Sequence, residues 1–175
     1  MNKKYTQKAL DNYRKILVAE LKRQYTKRKQ HPKSRSGSAL ENSIVGSKIP
    51  NKDGFRIKMN DYGVYESYGV NGKRSAYSSP FSYKSKYPNI DRIKDWIVRN
   101  NIKPLTFSST KKNELEDLAF LISRSIYQNG IRPTRFIDIA IEKVEPEMTK
   151  EIVDAYTRDL SEELDKITPN ASSKN

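Results

Sequence analysis

The chain contains no cysteine, and its single histidine is His31. Without cysteine there is no disulfide framework, zinc–thiolate site or thiol nucleophile. One histidine cannot furnish a His-based metal centre or an HNH-type nuclease, and no Ser–His–Asp triad is plausible around a residue flanked by Pro32, Lys33 and Ser34. Apolar residues are scarce, at 35% against the roughly 45–50% usual for globular chains. No apolar run approaches the roughly 18 residues of a membrane span, and Met1-Asn2-Lys3-Lys4-Tyr5 lacks a signal-peptide core. The expectation is a soluble, intracellularly made protein with a small core, part of the chain being extended or docking on a partner. Phosphate loops, GxGxxG fingerprints and GxSxG elbows are also missing. Gly63-Val64-Tyr65 and Tyr68-Gly69-Val70 superficially match a GIY-YIG nuclease, but only Glu66 and Ser67 separate them, where that fold needs about ten residues. Glu114, Glu116 and Asp117 read as acids favouring a helix dipole rather than a catalytic pair. We expect no catalytic residue, no metal, no cofactor and no enzyme activity.

What the chain has in abundance is positive charge, unevenly placed. Residues 1–38 carry 12 basic and 2 acidic side chains, residues 39–110 carry 12 and 6, and residues 111–175 carry 10 and 13. A basic front and an acidic tail fit an ordinary solvated surface, a basic arm on nucleic acid, or a self-complementary head-to-tail contact with the acidic end of another copy. The candidate inter-subunit residues are Arg14, Lys15, Lys22 and Arg23 at the front and Glu162, Glu163 and Asp165 at the back.

The apolar spacing predicts an α+β chain: a small antiparallel sheet packed by several helices, with long helices at both ends. Leu10, Tyr13, Ile16, Leu17, Leu21 and Tyr25 recur at helical spacing over residues 5–30, and His31-Pro32 ends that helix. Ser38 is expected to cap a short turn through Glu41. Residues 43–59 form a hairpin, with Asp53-Gly54 supplying the positive φ of its turn. Further helices are expected over 90–100, capped by Asn89, and over 111–128, capped by Ser109 or Thr110 and stopped at Asn129-Gly130. Another starts after Pro133, although Ile137, Ile139 and Ile141 also fit a strand. Pro146 interrupts, and residues 148–167 form an amphipathic helix with Ile152, Val153, Tyr156, Leu160, Leu164 and Ile167 on one face and acids on the other. Residues 1–167 thus read as a single domain carrying an exposed insertion over 70–128, and 168–175 as a disordered tail.

Tyrosine is concentrated, with six of the 11 between residues 62 and 87. Aromatic rings among cations suit base stacking or a protein interface. Tyr77, Phe81, Tyr83 and Tyr87, with Lys73 and Arg74, are the candidate partner-interface residues.

Two segments carry a family resemblance. Tyr62-Gly63-Val64-Tyr65-Glu66-Ser67-Tyr68-Gly69 resembles the Tyr–x–x–Tyr–x–Glu–x–Gly segment of tailed-bacteriophage neck, head–tail connector and tail-completion structural proteins. Gly130-Ile131-Arg132-Pro133-Thr134-Arg135-Phe136-Ile137-Asp138-Ile139-Ala140 resembles their later Arg–Pro–Phe–Leu–x–x–Ala segment. Here Ser67-Tyr68 widens the first motif and Thr134-Arg135 the second. The stretches 90–102 and 115–130 look like an insertion common in virion structural proteins. The resemblance implies that the first segment ends a sheet edge and the second opens a helix packed on it. It implies a virion location, made in the bacterial host cytoplasm, as a homo-oligomeric ring contacting the portal, other neck rings or tail proteins, with incidental contact to passing DNA and none to membrane. The alternative is a DNA- or RNA-binding accessory protein.

Overall fold

The computed structural model describes residues 3–28, 35–102 and 114–167. Among them the chain is α+β, with α1 (Lys4–Arg28), α2 (Arg35–Ser43), β1 (Val45–Lys48), β2 (Phe55–Lys58), α3 (Tyr62–Tyr68), α4 (Ile90–Arg99), α5 (Glu114–Asn129) and α6 (Phe136–Ile167). No described helix is long and apolar enough to cross a membrane. The expected cap at Ser109 or Thr110, the His31-Pro32 stop and the 168–175 tail fall outside the described residues. The described residues group into two compact units, one drawn from within 1–24, 43–59 and 137–175, the other from within 25–42 and 60–136.

In the first unit α1 lies antiparallel to α6. Asp159 accepts from the Tyr5 and Thr6 amides at 3.0 and 2.7 Å, Asn12 donates to Glu151 at 3.1 Å, and Lys143 reaches Glu20 at 3.9 Å. The first turn of any helix has amides without intrahelical partners, and here a carboxylate from another helix accepts from two of them. Leu17 and Leu21 are buried, as the α1 spacing predicts, while Ile16 stays exposed. The β1–β2 hairpin pairs Val45 with Lys58, Gly46 with Ile57, Ser47 with Arg56 and Lys48 with Phe55. Phe55 and Ile57 turn inward, Arg56 and Lys58 outward, and Phe55 meets Tyr13 edge-on at 5.3 Å between centroids. The turn differs from expectation. Its positive φ is at Asn51, at 57°, and not at Gly54. Asn tolerates the left-handed region because its short amide bonds locally.

The remaining differences have plain causes. Ser38 lies inside α2, which begins at Arg35, so it is not a cap. Residues 136–144 are helical, and α6 continues through Pro146 for 32 residues. Proline removes one intrahelical hydrogen bond, but buried Val144 and Met148 on either side anchor the helix across it. The buried face of α6 carries Val144, Met148, Ala155 and Asp159, whereas Val153, Tyr156, Leu160, Leu164 and Ile167 are exposed. The polar contacts to α1 set the rotation of α6, and the larger apolar stripe is turned away.

In the second unit α4 and α5 pack Ile93, Ile97 and Ala119 into a small core flanked by Ile90, Trp96, Leu118, Ile122 and Ile126. Asn89 caps α4 by accepting from the Arg92 amide at 3.1 Å. Buried Ser123 donates to the Pro88 carbonyl at 2.9 Å. Tyr25 and Phe136, both fully buried, meet edge-on at 5.4 Å. The stretch 70–128 therefore contains core of its own.

Candidate functional site

Residues 66–70 of the first motif region and 131–135 of the second are brought together within the second unit. The first is helix α3 and not a sheet edge; the second opens α6, as expected. Thr134 donates to the Glu66 carbonyl from its amide at 3.1 Å and from its hydroxyl at 2.9 Å, and the Arg135 amide donates to Ser67 at 2.8 Å. The last carbonyls of α3 are thus satisfied by the residues that lead into α6. Arg135 adopts φ 55° to do so, an uncommon conformation for a side-chain-bearing residue. The Thr134-Arg135 pair is what makes this contact.

Beyond Gly69 the two segments pass each other in a single antiparallel bridge. Val70 and Ile131 exchange both backbone hydrogen bonds at 2.8 Å. Gly69 and Gly130 have φ 71° and 73°, and their backbones approach the opposite chain so closely that a Cβ would fall on the carbonyl of Ile131 or Val70 respectively. Glycine is required twice over, by conformation and by space. Glu66 is half-buried there, and burial pushes its carboxyl above the usual range. Burial likewise raises the Tyr25 hydroxyl, with Glu66, Tyr62 and Glu41 adding to the effect.

The aromatic segment 70–88 folds back on this crossing rather than reaching out. The Lys73 and Arg74 amides donate to Tyr127 and Gln128 at 3.1 and 2.8 Å. The Asn71 amide donates to Phe81 at 2.8 Å, and the Tyr83 amide donates back to Asn71 at 3.1 Å. The Asn71 side chain accepts from the Tyr77 amide at 2.6 Å and donates to the Ser79 carbonyl at 2.8 Å. Ser79 in turn donates to the Gly69 carbonyl at 2.7 Å. Asn71, Ser79 and Thr134 organise the region, and no composition argument singles them out; only the Asn71-Gly72 pair carries a turn signal.

Tyr77, Phe81 and Tyr83 are half-buried, against the expectation of an exposed insertion. Phe81 packs on Tyr65 at 4.6 Å, and Tyr83 lies 6.2 Å from Tyr127. Burial raises the Tyr83 hydroxyl. Tyr87 remains exposed, stacked on Tyr127 at 4.3 Å, with the Lys73 ammonium 5.9 Å from that same ring. Tyr62, Tyr65, Lys73 and Arg74 are exposed as well. The accessible part of the patch is thus a rim of tyrosine and cation over a fixed floor. Tyrosine and arginine on a rigid support suit protein contact.

The candidate inter-subunit residues lie in the first unit, and several are occupied within the chain. Arg14 donates to the Gly46 carbonyl at 2.8 Å and to Asp11 at 2.8 Å; Lys15 pairs with Asp11 at 3.1 Å. Arg14 first, then Lys15, hold the Asp11 carboxyl down at about 2. Arg23 pairs with Glu20 at 2.6 Å and, with help from Gln24, holds that carboxyl at about 2 despite some burial. Glu162 bonds the Tyr5 side chain and raises its hydroxyl. Glu163 reaches Lys166 at 3.6 Å, Lys22 is half-buried, and Asp165 is exposed. Burial opposes ionisation of Asp159, but its bonds from Thr6 and Tyr5 prevail and keep the carboxyl below its ordinary value. Arg14, Lys15 and Arg23 are thus paired with acids of their own helix, and Glu163 with Lys166 of α6. Among the described residues no cluster of three or more His, Cys, Asp or Glu is arranged to hold a metal ion. No protein family, curated protein or solved structure is found to match the chain.

Proposed function

We propose that this protein is a virion structural subunit that assembles with copies of itself into a ring at the head–tail junction of a tailed bacteriophage, acting by contact and not by chemistry. The observation that carries the reading is the docking of the two resemblance segments, with Thr134 and Arg135 closing the end of α3 at Glu66 and Ser67. Residues that match the family motifs far apart in sequence are one structural element here, and its glycines are demanded by the crossing. The tyrosine and cation rim around Tyr87, Lys73 and Arg74 supports a role in contacting another ring or a virion protein. Negative-stain imaging of the purified chain, and immunogold labelling of virions, test this: rings and a band at the neck are expected. A chain that stays monomeric and binds duplex DNA tightly near physiological salt would replace this reading with the nucleic-acid one, since phosphate contacts in a weak non-specific binder fade steeply with salt.

A further inference from the structure

We infer that the C-terminal half of α6 carries a two-fold self-recognition surface, on which the apolar stripe of residues 153–167 in one copy lies antiparallel against the same stripe of a second copy. Val153, Tyr156, Leu160, Leu164 and Ile167 fall within an arc of about 80° over a length of about 21 Å. They are 57%, 46%, 41%, 53% and 72% exposed, so folding of the chain leaves the whole row in solvent. The row lies roughly a third of a turn around α6 from buried Met148, Ala155 and Asp159, the last of which bonds α1. It is also bounded. The same face carries Glu142, Pro146 and Thr149 in the preceding turns, and residues 168–175 add no large apolar side chain.

Three features point to a second copy as the occupant. The first is symmetry. The spacing of the five residues runs 3, 4, 4, 3, so it reads the same in both directions about Leu160. Antiparallel pairing then sets Leu160 against Leu160 on the two-fold axis, Tyr156 against Leu164 and Val153 against Ile167. Such a contact is isologous, one row serving both partners, and the helix dipoles favour that direction. An unrelated partner places no such demand on the spacing. The second is area. The exposed parts of the five residues come to roughly 500 Å², in the range of the largest apolar patch on a typical monomer, which is often functional. Two stripes covering each other bury about 1,000 Å² together, the area a specific protein interface needs. The third is the border. Thr157 and Ser161 form one edge beside Leu160, with Lys150 at its end. The Thr157 hydroxyl donates to the Val153 carbonyl at 2.9 Å and the Ser161 hydroxyl to the Thr157 carbonyl at 3.0 Å. Covering this edge therefore leaves neither donor unmet. On the other edge Glu163, paired with Lys166 at 3.6 Å, belongs to the polar rim usual around an apolar contact.

A two-fold contact closes at two copies, so this surface goes beyond the ring reading and does not rest on it. The test uses the full chain, with sedimentation velocity over a dilution series and directed cross-linking, which the absence of native cysteine makes clean. The wild type should run as a dimer, or as a larger assembly of even number. Leu160→Asp sets two carboxyls against each other on the axis. It should weaken the contact about a hundredfold or more and leave the far-ultraviolet dichroism unchanged. Val153→Cys and Ile167→Cys should cross-link with each other when mixed and barely with themselves, whereas Leu160→Cys should cross-link with itself. Should Leu160→Asp misfold, Val153→Ser with Ile167→Ser, at the two most exposed positions, gives the same reading. Self-association unchanged in these variants, rings included, overturns the contact while leaving the ring reading standing. Self-cross-linking of Val153→Cys and of Ile167→Cys with no mixed product overturns the antiparallel pairing, and the proposal with it. A wild-type chain that stays monomeric overturns it together with the ring reading, and a lowered melting temperature of Leu160→Asp in that monomer assigns the stripe to a contact within the chain instead.

Discussion

The two units are held by different means. In the first, polar side chains reach between elements: Asp159 to the Tyr5 and Thr6 amides, Asn12 to Glu151, Arg14 to the Gly46 carbonyl of β1. In the second, backbone meets backbone at Val70 and Ile131, and at Thr134–Glu66 and Arg135–Ser67, with almost no space for a side chain at Gly69 or Gly130. Side-chain bonds can be replaced by other donors and respond to pH and salt. A backbone crossing tolerates neither added volume nor a change of φ, but it is indifferent to charge. The first unit is thus the tunable part of the molecule and the second the rigid support of the tyrosine rim.

Four experiments would break or sharpen this contrast. The largest effect is expected from Gly130→Ala, which adds a Cβ onto the Val70 carbonyl at a positive φ. The cost should reach about 2 kcal/mol or more by denaturant unfolding, and a value near zero would mean that the crossing is soft. Next, Asp159→Ala removes the acceptor of two α1 amides. Its melting temperature should fall by roughly 3–6 °C, with Asn recovering part of the loss; equal behaviour of Ala and Asn would deny the capping role. Third, acid should act on the units in opposite senses. Asp11 and Glu20, ordinarily 3.8 and 4.5, are held at about 2, so their stabilisation is complete above the ordinary range and drains as pH falls towards 2. Glu66, raised by burial, destabilises once ionised, so protonating it strengthens its surroundings. Amide exchange at pH 3 should therefore speed up in α1 before it does at Val70 and Ile131. Smallest of all, Tyr87→Ala should cost under about 1 kcal/mol of stability, since the ring is half exposed, yet reduce incorporation into virions if the rim is a contact.

The sequence makes the helices legible because Leu17, Leu21, Ile93, Ile97, Ala119 and Ile126 repeat at the period of a helix. Asn89 and Gly130 announce their ends through side-chain chemistry and backbone freedom. The hairpin is equally readable from the Phe55–Ile57 alternation. What escapes a one-dimensional reading is rotation and partnership. The α6 pattern favours burying Leu160 and Leu164, but Asp159 and Glu151 turn that helix by bonding α1, and hydrogen bonds to atoms about 140–150 residues away leave no local trace. Pro146 reads as a break because its cost is local, whereas the anchoring by Val144 and Met148 is tertiary. The tyrosines signal a surface patch, but Asn71 and Ser79, which fix it, look like ordinary loop residues.

The bond from Asp159 to Tyr5 and Thr6 also dictates an order of events at the ribosome. The second unit draws on residues 25–42 and 60–136 and so has its whole sequence available first. The α1 amides must wait for an acceptor 153 residues downstream. During synthesis the basic helix is therefore without its acidic partner for most of translation. Contacts of such long sequence separation form late and slowly. Synthesis thus delays completion of the first unit, which closes only once the Asp159 turn of α6 has emerged.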